Sequence, residues 1–521
     1  MKTQTVFVVA ALLAACTHGG SSTSALVKMS GCEKGKLVAM SDEAFARFRR
    51  ITDNRIAQIR GTPDLVPPAG AEVRYVSEKG DDSADGKTPA TAWRTPARLG
   101  RQKLAPGTYV LFERGGTYRG GARAHDGVTL AAYGKGPKPR LYASPENGAD
   151  PAKWEKTDAP NVWRYHIGNL DVGTIVFNDG EACAIKIVPV YNSDGTYSQQ
   201  YTKKPFDNGY KDLSGDLHFW HDYSEKTGFK ACAKGTGDIY LYSVQNPGER
   251  FKSIEFNVKQ HCVLVGGSND VRVDNLCIMY TGAHGVSAGT VKNLKVTNCE
   301  FGWIGGSIQG DALFGRNAPT RYGNAVEIYG GCEDYTVDNC YIYQVYDAGI
   351  TQQRGLSEKE ADKAIDQKRM RYTRNVIEKC NYSIEYFLSR LPKGNPSRME
   401  DFLIAGNLMW NAGVGFCEQR PDHNQAAHIK SWRNNCNRAT GFVVRSNLLA
   451  FGKEMLVEIS SGLENPDGSD SMPKVEDNVF VGGKGQCFGV LNQGRAEVRT
   501  YDDNLLSALG ERFSGNVFAT R

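Results

Sequence analysis

The stretch GNAVEIYGGCEDYTVDNCYIYQVYDAGITQQ, from Gly323 to Gln353, decides the fold. Ala325-Val326-Glu327-Ile328 and Gly349-Ile350-Thr351-Gln352 are two short strands in which a polar residue stands beside apolar ones. Between them Val337-Asp338-Asn339-Cys340-Tyr341-Ile342 alternates and turns at an asparagine. Alternation of period two marks a strand with one buried face.

Outward from this stretch the same unit recurs. An asparagine followed by mostly apolar residues stands at Asn275, Asn298, Asn339, Asn375, Asn407, Asn447, Asn478 and Asn516, at intervals of 23 to 41 residues. Self-similarity of this kind predicts a solenoid whose coils carry loops of variable length. Asparagine suits the turn for two reasons: it tolerates left-handed backbone angles, and its amide can bond the same residue one coil away. A stack of such coils carries an asparagine ladder.

Most ladder positions are followed by a second strand, and alternation puts Val326, Ile350, Ile384, Val414 and Val457 inside. Glu327, Thr351, Glu385, Gly415 and Glu458 then form one outward column. Insertions leave just after this strand (354–370, 389–399, 420–427 and 461–472), and another, 305–321, arrives just before it. Loops stacked on one edge of a solenoid wall a groove beside that column.

Ahead of the repeats, Ser41-Asp42-Glu43 opens a predicted helix with Phe45, Phe48, Ile51, Ile56 and Ile59 on one stripe and Gly61-Thr62-Pro63 at its end. It is expected to cap exposed β structure. Val73-Arg74-Tyr75-Val76 is the first strand. The segment YVSEKGDDSADGKTPATAWRTPARL from Tyr75, with Tyr109-Val110-Leu111-Phe112 and Gly115-Gly116-Thr117-Tyr118, resembles the opening turns of secreted right-handed parallel β-helix proteins that act on polysaccharides. The resemblance is to pectate-lyase-like and glycoside-hydrolase-like members, some of which carry a β insertion. It implies an all-β right-handed parallel β-helix. Residues 150–255 lack the repeat, and their alternating runs are separated by Asn-Asp-Gly, Asn-Ser-Asp-Gly and Asn-Pro-Gly turns, so an antiparallel β insertion is expected there. Residues 41–149 then form the cap and first coils, and 256–521 the main helix.

The resemblance implies carbohydrate chemistry, and the column supplies candidates for it. Coils repeat at ~4.8 Å, the spacing of paired strands, so Glu327 and Glu385, two coils apart with Thr351 between, have backbones ~9.6 Å apart. Inverting glycosidases separate their acid and base by roughly 6.5 to 9.5 Å, and retaining ones by about 5 to 5.5 Å. Asp347, at the turn before the Thr351 strand, is the residue that offers the shorter pair with Glu327. Tyr329, Gln353 and Phe387 share the outward face, and aromatics beside carboxylates suit sugar stacking. Glu458 lacks such neighbours and reads as solvated. A second cluster, Glu418-Gln419-Arg420-Pro421-Asp422-His423 followed by His428 and Lys430, suits the alternative of a lyase. There a lysine or histidine removes the proton α to a uronate carboxylate that arginine or calcium neutralises. His284 reads as a turn residue, and Asp311 and Arg316 as loop residues in reach of a substrate. A noncatalytic glycan-binding surface protein is the third reading.

Composition narrows the rest. Sixty-three basic residues are interleaved with 58 acidic ones, for a net charge of +5 with no basic run, which gives no electrostatic case for nucleic acid. No cofactor is required by this chemistry; Asp81, Asp82 and Asp85 leave open a calcium site or a solvated turn. Lys2, the apolar run from Val6 and the ending Leu13-Ala14-Ala15-Cys16 resemble a bacterial lipoprotein signal over 1–15. Cys16 is then the lipidated residue and 16–40 a tether, which predicts a body anchored in the cell envelope. The 13 cysteines show no CxxC pair, so stacked free thiols are expected, with a bridge such as Cys332 to Cys340 left open.

Overall fold

The computed structural model describes residues 24–521 except 224–234, 311–318, 357, 361–362, 390–394, 422–425, 432–437, 461–470, 483–486, 493–494 and 501–512. Cys16, with the signal and the start of the tether, lies outside the described residues, as do Asp311, Arg316, Asp422 and His423.

Among the described residues two long sheets, of 19 and 13 strands, run side by side, and nearly every pairing in them is parallel. That is the right-handed parallel β-helix. The inner columns are continuous. Val263, Val286, Val326, Ile350, Ile384, Ile429 and Val457 stack in register on one sheet, and Val273, Val296, Val337, Tyr372, Ile404, Val444 and Val475 on the other. All are buried.

The asparagines divide into two sets. Asn275, Asn298 and Asn339 themselves take the left-handed backbone, at φ of 60°, 56° and 54°. In later coils that angle moves to Arg374, Gly406, Ser446, Asp477 and Gly515, and the asparagine stands one residue further on. There Asn375, Asn407, Asn447, Asn478 and Asn516 are wholly buried; each of the first four amides donates to the next side-chain carbonyl oxygen at 2.9–3.0 Å, and the last, Asn516, donates to Val475 O at 2.9 Å. Cys299 and Cys340 hold the same inner position in earlier coils, so thiols continue the row that amides finish. Cys332 and Cys340 are both free thiols, which closes the option of a bridge between them.

One expected strand is not a strand. Gly413 and Gly415 have φ of +79° and +91°, and Phe416–Gln419 forms a 3₁₀ turn. The coil takes its strand from Ala427–Ser431 instead, so Ile429 replaces Val414 in the inner column and Lys430 replaces Gly415 in the outer one. Glycines at left-handed angles cannot continue a ladder, and Ala-His-Ile-Lys-Ser can.

The predicted helix is α1 (Asp42–Arg60), capped by the Ser41 side chain, which accepts from Ala44 N at 3.2 Å. Ala44, Phe48, Thr52, Arg55 and Ile59 form its buried stripe. It lies along the flank of the stack. Arg60 pairs with Glu300 at 2.6 Å, Arg49 with Glu378 at 3.1 Å, and Arg521 with Asp42 at 3.0 Å. Nineteen residues at 1.5 Å rise make about 28 Å, close to the six steps of ~4.8 Å from Glu300 to Val517. The end of the stack is covered by β1 (Leu37–Ala39), which pairs in parallel with the last strand, Val517–Thr520.

Between Val162 and Val258 the chain leaves the stack and pairs mostly antiparallel, as with Val172–Phe177 against Ile254–Val258 and His218–Asp222 against Asp238–Tyr242. This insertion docks on the helix. Ser307 Oγ donates to Asp171 O at 3.1 Å, Arg321 to Gly173 O at 3.0 Å, and Gln419 to Ala184 O at 2.9 Å.

Candidate functional site

The site is built on successive strands of the larger sheet: β2 (Val286–Ala288), β3 (Val326–Tyr329), β4 (Tyr341–Gly355), β5 (Val376–Ser389), β6 (Ala427–Ser431) and β7 (Met455–Ser460). Register places Ser287, Glu327, Thr351, Glu385, Lys430 and Glu458 directly above one another. Alternation gave the direction of these side chains; what it did not give is their cover. Glu327 is 7% exposed, Glu385 2%, and Thr351, Lys430 and Glu458 are sealed. A row of charges inside a protein is tolerated only when each is paired and hydrogen-bonded.

The pairing differs along the row. Lys430 Nζ is in contact with Glu458 Oε2, with side chains 0% and 2% exposed. Glu458 is therefore an enclosed ion-pair partner and not the solvated residue its neighbours suggested. Glu385 Oε2 accepts from Gln353 Nε2 at 2.8 Å and Thr351 Oγ1 at 3.3 Å, so this carboxylate leans toward the Thr351 coil. Glu327 leans the same way, toward the coil before it. Its Oε2 accepts from Asn324 Nδ2 at 3.0 Å and lies 2.5 Å from His284 Nε2, one coil back. Burial pushes the Glu327 carboxyl up, but the imidazole and the amide outweigh it and hold the group below the usual glutamate range.

Asp347 stands beside the row on β4, where a register shift against β5 opens the ladder. Arg420 Nη1 is 2.8 Å from its Oδ1, and the guanidinium also lies over the rings of Tyr346 and Tyr382, at 5.4 and 5.5 Å. Gln419, next to Arg420, is the residue that the insertion holds, so the insertion fixes this edge of the site. Asp347 and Glu327 keep side-chain exposures of 17% and 10% against almost none for Lys430 and Glu458. The row is accessible at its Glu327–Asp347 end.

Tyr329, Gln353 and Phe387 stack in register two residues beyond the acidic row, as the pattern predicts. Tyr329 is 48% exposed with the Arg354 guanidinium 5.3 Å from its ring centre, at the lip of a cleft of about 610 Å³ that Lys292, Asp366 and Lys368 also line. His428 does not join them. It is fully enclosed, with Nδ1 3.0 Å from Ser383 Oγ and Nε2 3.1 Å from Ala450 O, so both ring nitrogens are bonded inside the protein. A substrate contact from His428 is ruled out by that enclosure.

Burial pushes the His428 imidazole down to about 4. An unfolded histidine takes its proton near 6.5, so between pH 6.5 and 4 the unfolded chain binds a proton that the folded one refuses. The stability this histidine contributes is complete above pH 6.5 and is lost as pH falls through that window, up to about 3 kcal/mol at the lower end. The unfolding midpoint is expected to drop across this range, and to drop less in His428→Gln. Equal slopes for the two proteins would contradict the assignment.

His284 and Asn324 are the site residues that sequence reading missed. Register puts His261, His284 and Asn324 in one column beside the acidic row. Aligning Cys262-Val263, Gly285-Val286 and Ala325-Val326 would have shown this. Asp81 and Asp85 accept hydrogen bonds within their own turns, from Ser83 N and Lys87 N, while Asp82 ties its turn to a later segment by accepting from Arg94 N and Thr95 N. Among the described residues no group of three or more His, Cys, Asp or Glu is arranged to hold a metal ion.

The molecule is thus a right-handed parallel β-helix with a buried, carboxylate-rich row on the outer face of one sheet. No family model matches the chain, and no curated protein matches it. Solved structures with partial likeness include a glycoside hydrolase (9% identity over 86% of this chain and 96% of that one, TM-score 0.49) and XylC in complex with xylose (11% identity, 82% and 73%, TM-score 0.44). A third is the family 28 exopolygalacturonase of Yersinia enterocolitica (12% identity, 79% and 66%, TM-score 0.35).

Proposed function

We propose that this chain is a glycoside hydrolase acting on a polysaccharide or oligosaccharide, held to the cell envelope by a lipid on Cys16. The observation that carries the catalytic reading is the placement of Glu327 and Glu385 on the same outward row, two coils apart with Thr351 between. Both carboxylates lean toward the preceding coil, so their spacing follows the two strand steps of ~4.8 Å between them, at the wide end that suits an inverting pair, roughly 6.5 to 9.5 Å. Glu327, held ionised by its neighbours, is the base, and Glu385 is the acid. In the reaction Glu385 gives its proton to the glycosidic oxygen as the C–O bond breaks. Glu327 takes a proton from the water whose oxygen bonds to the anomeric carbon from the opposite face. Asp347, fixed by Arg420 at the open end of the row, orients that water. Tyr329, Gln353 and Phe387 contact the sugar.

Lys430 directly beside Glu385 is the feature that favours a lyase, but its closed pairing with Glu458 argues for a structural part. A glycan panel decides between them. New reducing ends without an ultraviolet-absorbing double bond support the hydrolase, and the double bond supports the lyase. Binding with neither product would make the chain a glycan-binding protein.

A further inference from the structure

Glu327 does not stand alone: it is the end of a stacked column of side chains. Asn324 N donates to His284 Nδ1 at 3.0 Å, so the ring proton of a neutral His284 sits on Nε2, which faces Glu327 Oε2 at 2.5 Å. Below it, His261 lies parallel to His284, with ring centres 5.1 Å apart and planes at 6°, and His261 Nδ1 accepts from His284 N at 3.2 Å. The edge of Tyr322, from the hairpin that the insertion braces, closes the other side of the His284 ring at 5.0 Å. His284 can neither rotate nor change tautomer without losing one of these contacts. His261, which burial and the neighbouring ring push down to about 4, supports it as a neutral ring.

Such an arrangement is more than a turn requires. A turn histidine is served by one backbone bond, whereas here both ring nitrogens, both ring faces or edges and the backbone N–H are engaged, and the outcome is a donor aimed at a single carboxylate oxygen. The titratable groups that act on Glu327 from the packed elements are His284 and His261, with Tyr322 behind them and the buried Tyr335 also within electrostatic reach; Asn324 and Thr351 are neutral.

We infer that His284, seated on His261, is the positioning residue that turns Glu327 toward its substrate and keeps it able to accept a proton. The inference rests on the reading of Glu327 as the catalytic base. Without the Nε2 donor, a buried carboxylate loses its main compensation and takes up a proton more readily.

The test is the pH profile of kcat/KM for the full-length protein, comparing His284→Phe, which keeps a ring on His261 but removes the donor, with His284→Gln, which keeps a donor. In His284→Phe the acidic limb is expected to move up by about one pH unit, a rate loss of about tenfold below the limb that shrinks above it. KM should stay unchanged, and His284→Gln should lie closer to the natural protein. An unmoved limb in a folded His284→Phe, with Glu327→Gln inactive, overturns the role of His284 and leaves the site reading intact. Full activity in Glu327→Gln overturns the site reading itself. Should His284→Phe fail to fold, His284→Leu, which also lacks the donor, takes its place: an acidic limb moved up by about one pH unit supports the donor role, and an unmoved limb overturns it.

Discussion

Replacing Glu327 by glutamine is expected to lower the rate of glycan hydrolysis by about 10²- to 10⁴-fold, the range that a positioned general base supplies. The substitution keeps the shape of the side chain. Its amide oxygen can still accept from Asn324 and His284, which hold the carboxylate now at 3.0 and 2.5 Å, so the unfolding midpoint should move little. What is lost is the capacity to take a proton from water. Glu385→Gln is expected to act on the same step through the leaving group, and more weakly on substrates whose leaving group needs no protonation. Reducing-end release by the purified variants, normalised to folded protein, reads both. A Glu327→Gln variant as active as the natural protein would remove Glu327 from the mechanism.

The second large effect is on stability. Asn407→Leu should cost about 3 to 5 kcal/mol, because several buried groups lose partners at once and each costs on the order of 1 to 3 kcal/mol. Asn375 N and Nδ2 both donate to the Asn407 carbonyl oxygen, and Asn407 Nδ2 donates to Tyr372 O and to Asn447, all inside the helix at 2.9–3.0 Å. Asn339→Gly is the informative contrast. Glycine keeps the left-handed angle of 54° that Asn339 adopts, and only the bond to Asn298 at 2.7 Å is lost. Thermal or denaturant unfolding separates the two. Equal losses in the pair would mean that the two sets of asparagines do not play different parts.

The same pair of asparagines shows what a sequence can reveal here. The repeat, the inner columns and the outer order of Glu327, Thr351 and Glu385 are local facts of period-two alternation, and they are legible from residues two apart. Register between distant coils is not local. Between Asn407 and Asn447 two segments compete for one strand, and the choice of Ala427–Ser431 over Gly413–Phe416 turns on backbone angles that only the glycines hint at. Lys430 entered the row by that route. Burial of the row is equally hidden, because alternation says which way a side chain points and nothing of what lies on top of it. Glu458 and His428 were misjudged for that reason. The link from His284 to Glu327 crosses from one coil to the next, and it becomes visible only when Val286 and Val326 are laid in register.

The geometry that matters most is the wide separation of Glu327 and Glu385, and its direct chemical consequence is stereochemical. Proton NMR of the first product formed from a hydrolysed glycan, recorded before mutarotation, reads the configuration at the new anomeric centre. Inversion is the result expected of two carboxylates set two coils apart. Retention would contradict it and would transfer the nucleophile to Asp347, the only other carboxylate at the open end of the row among the residues proposed for catalysis.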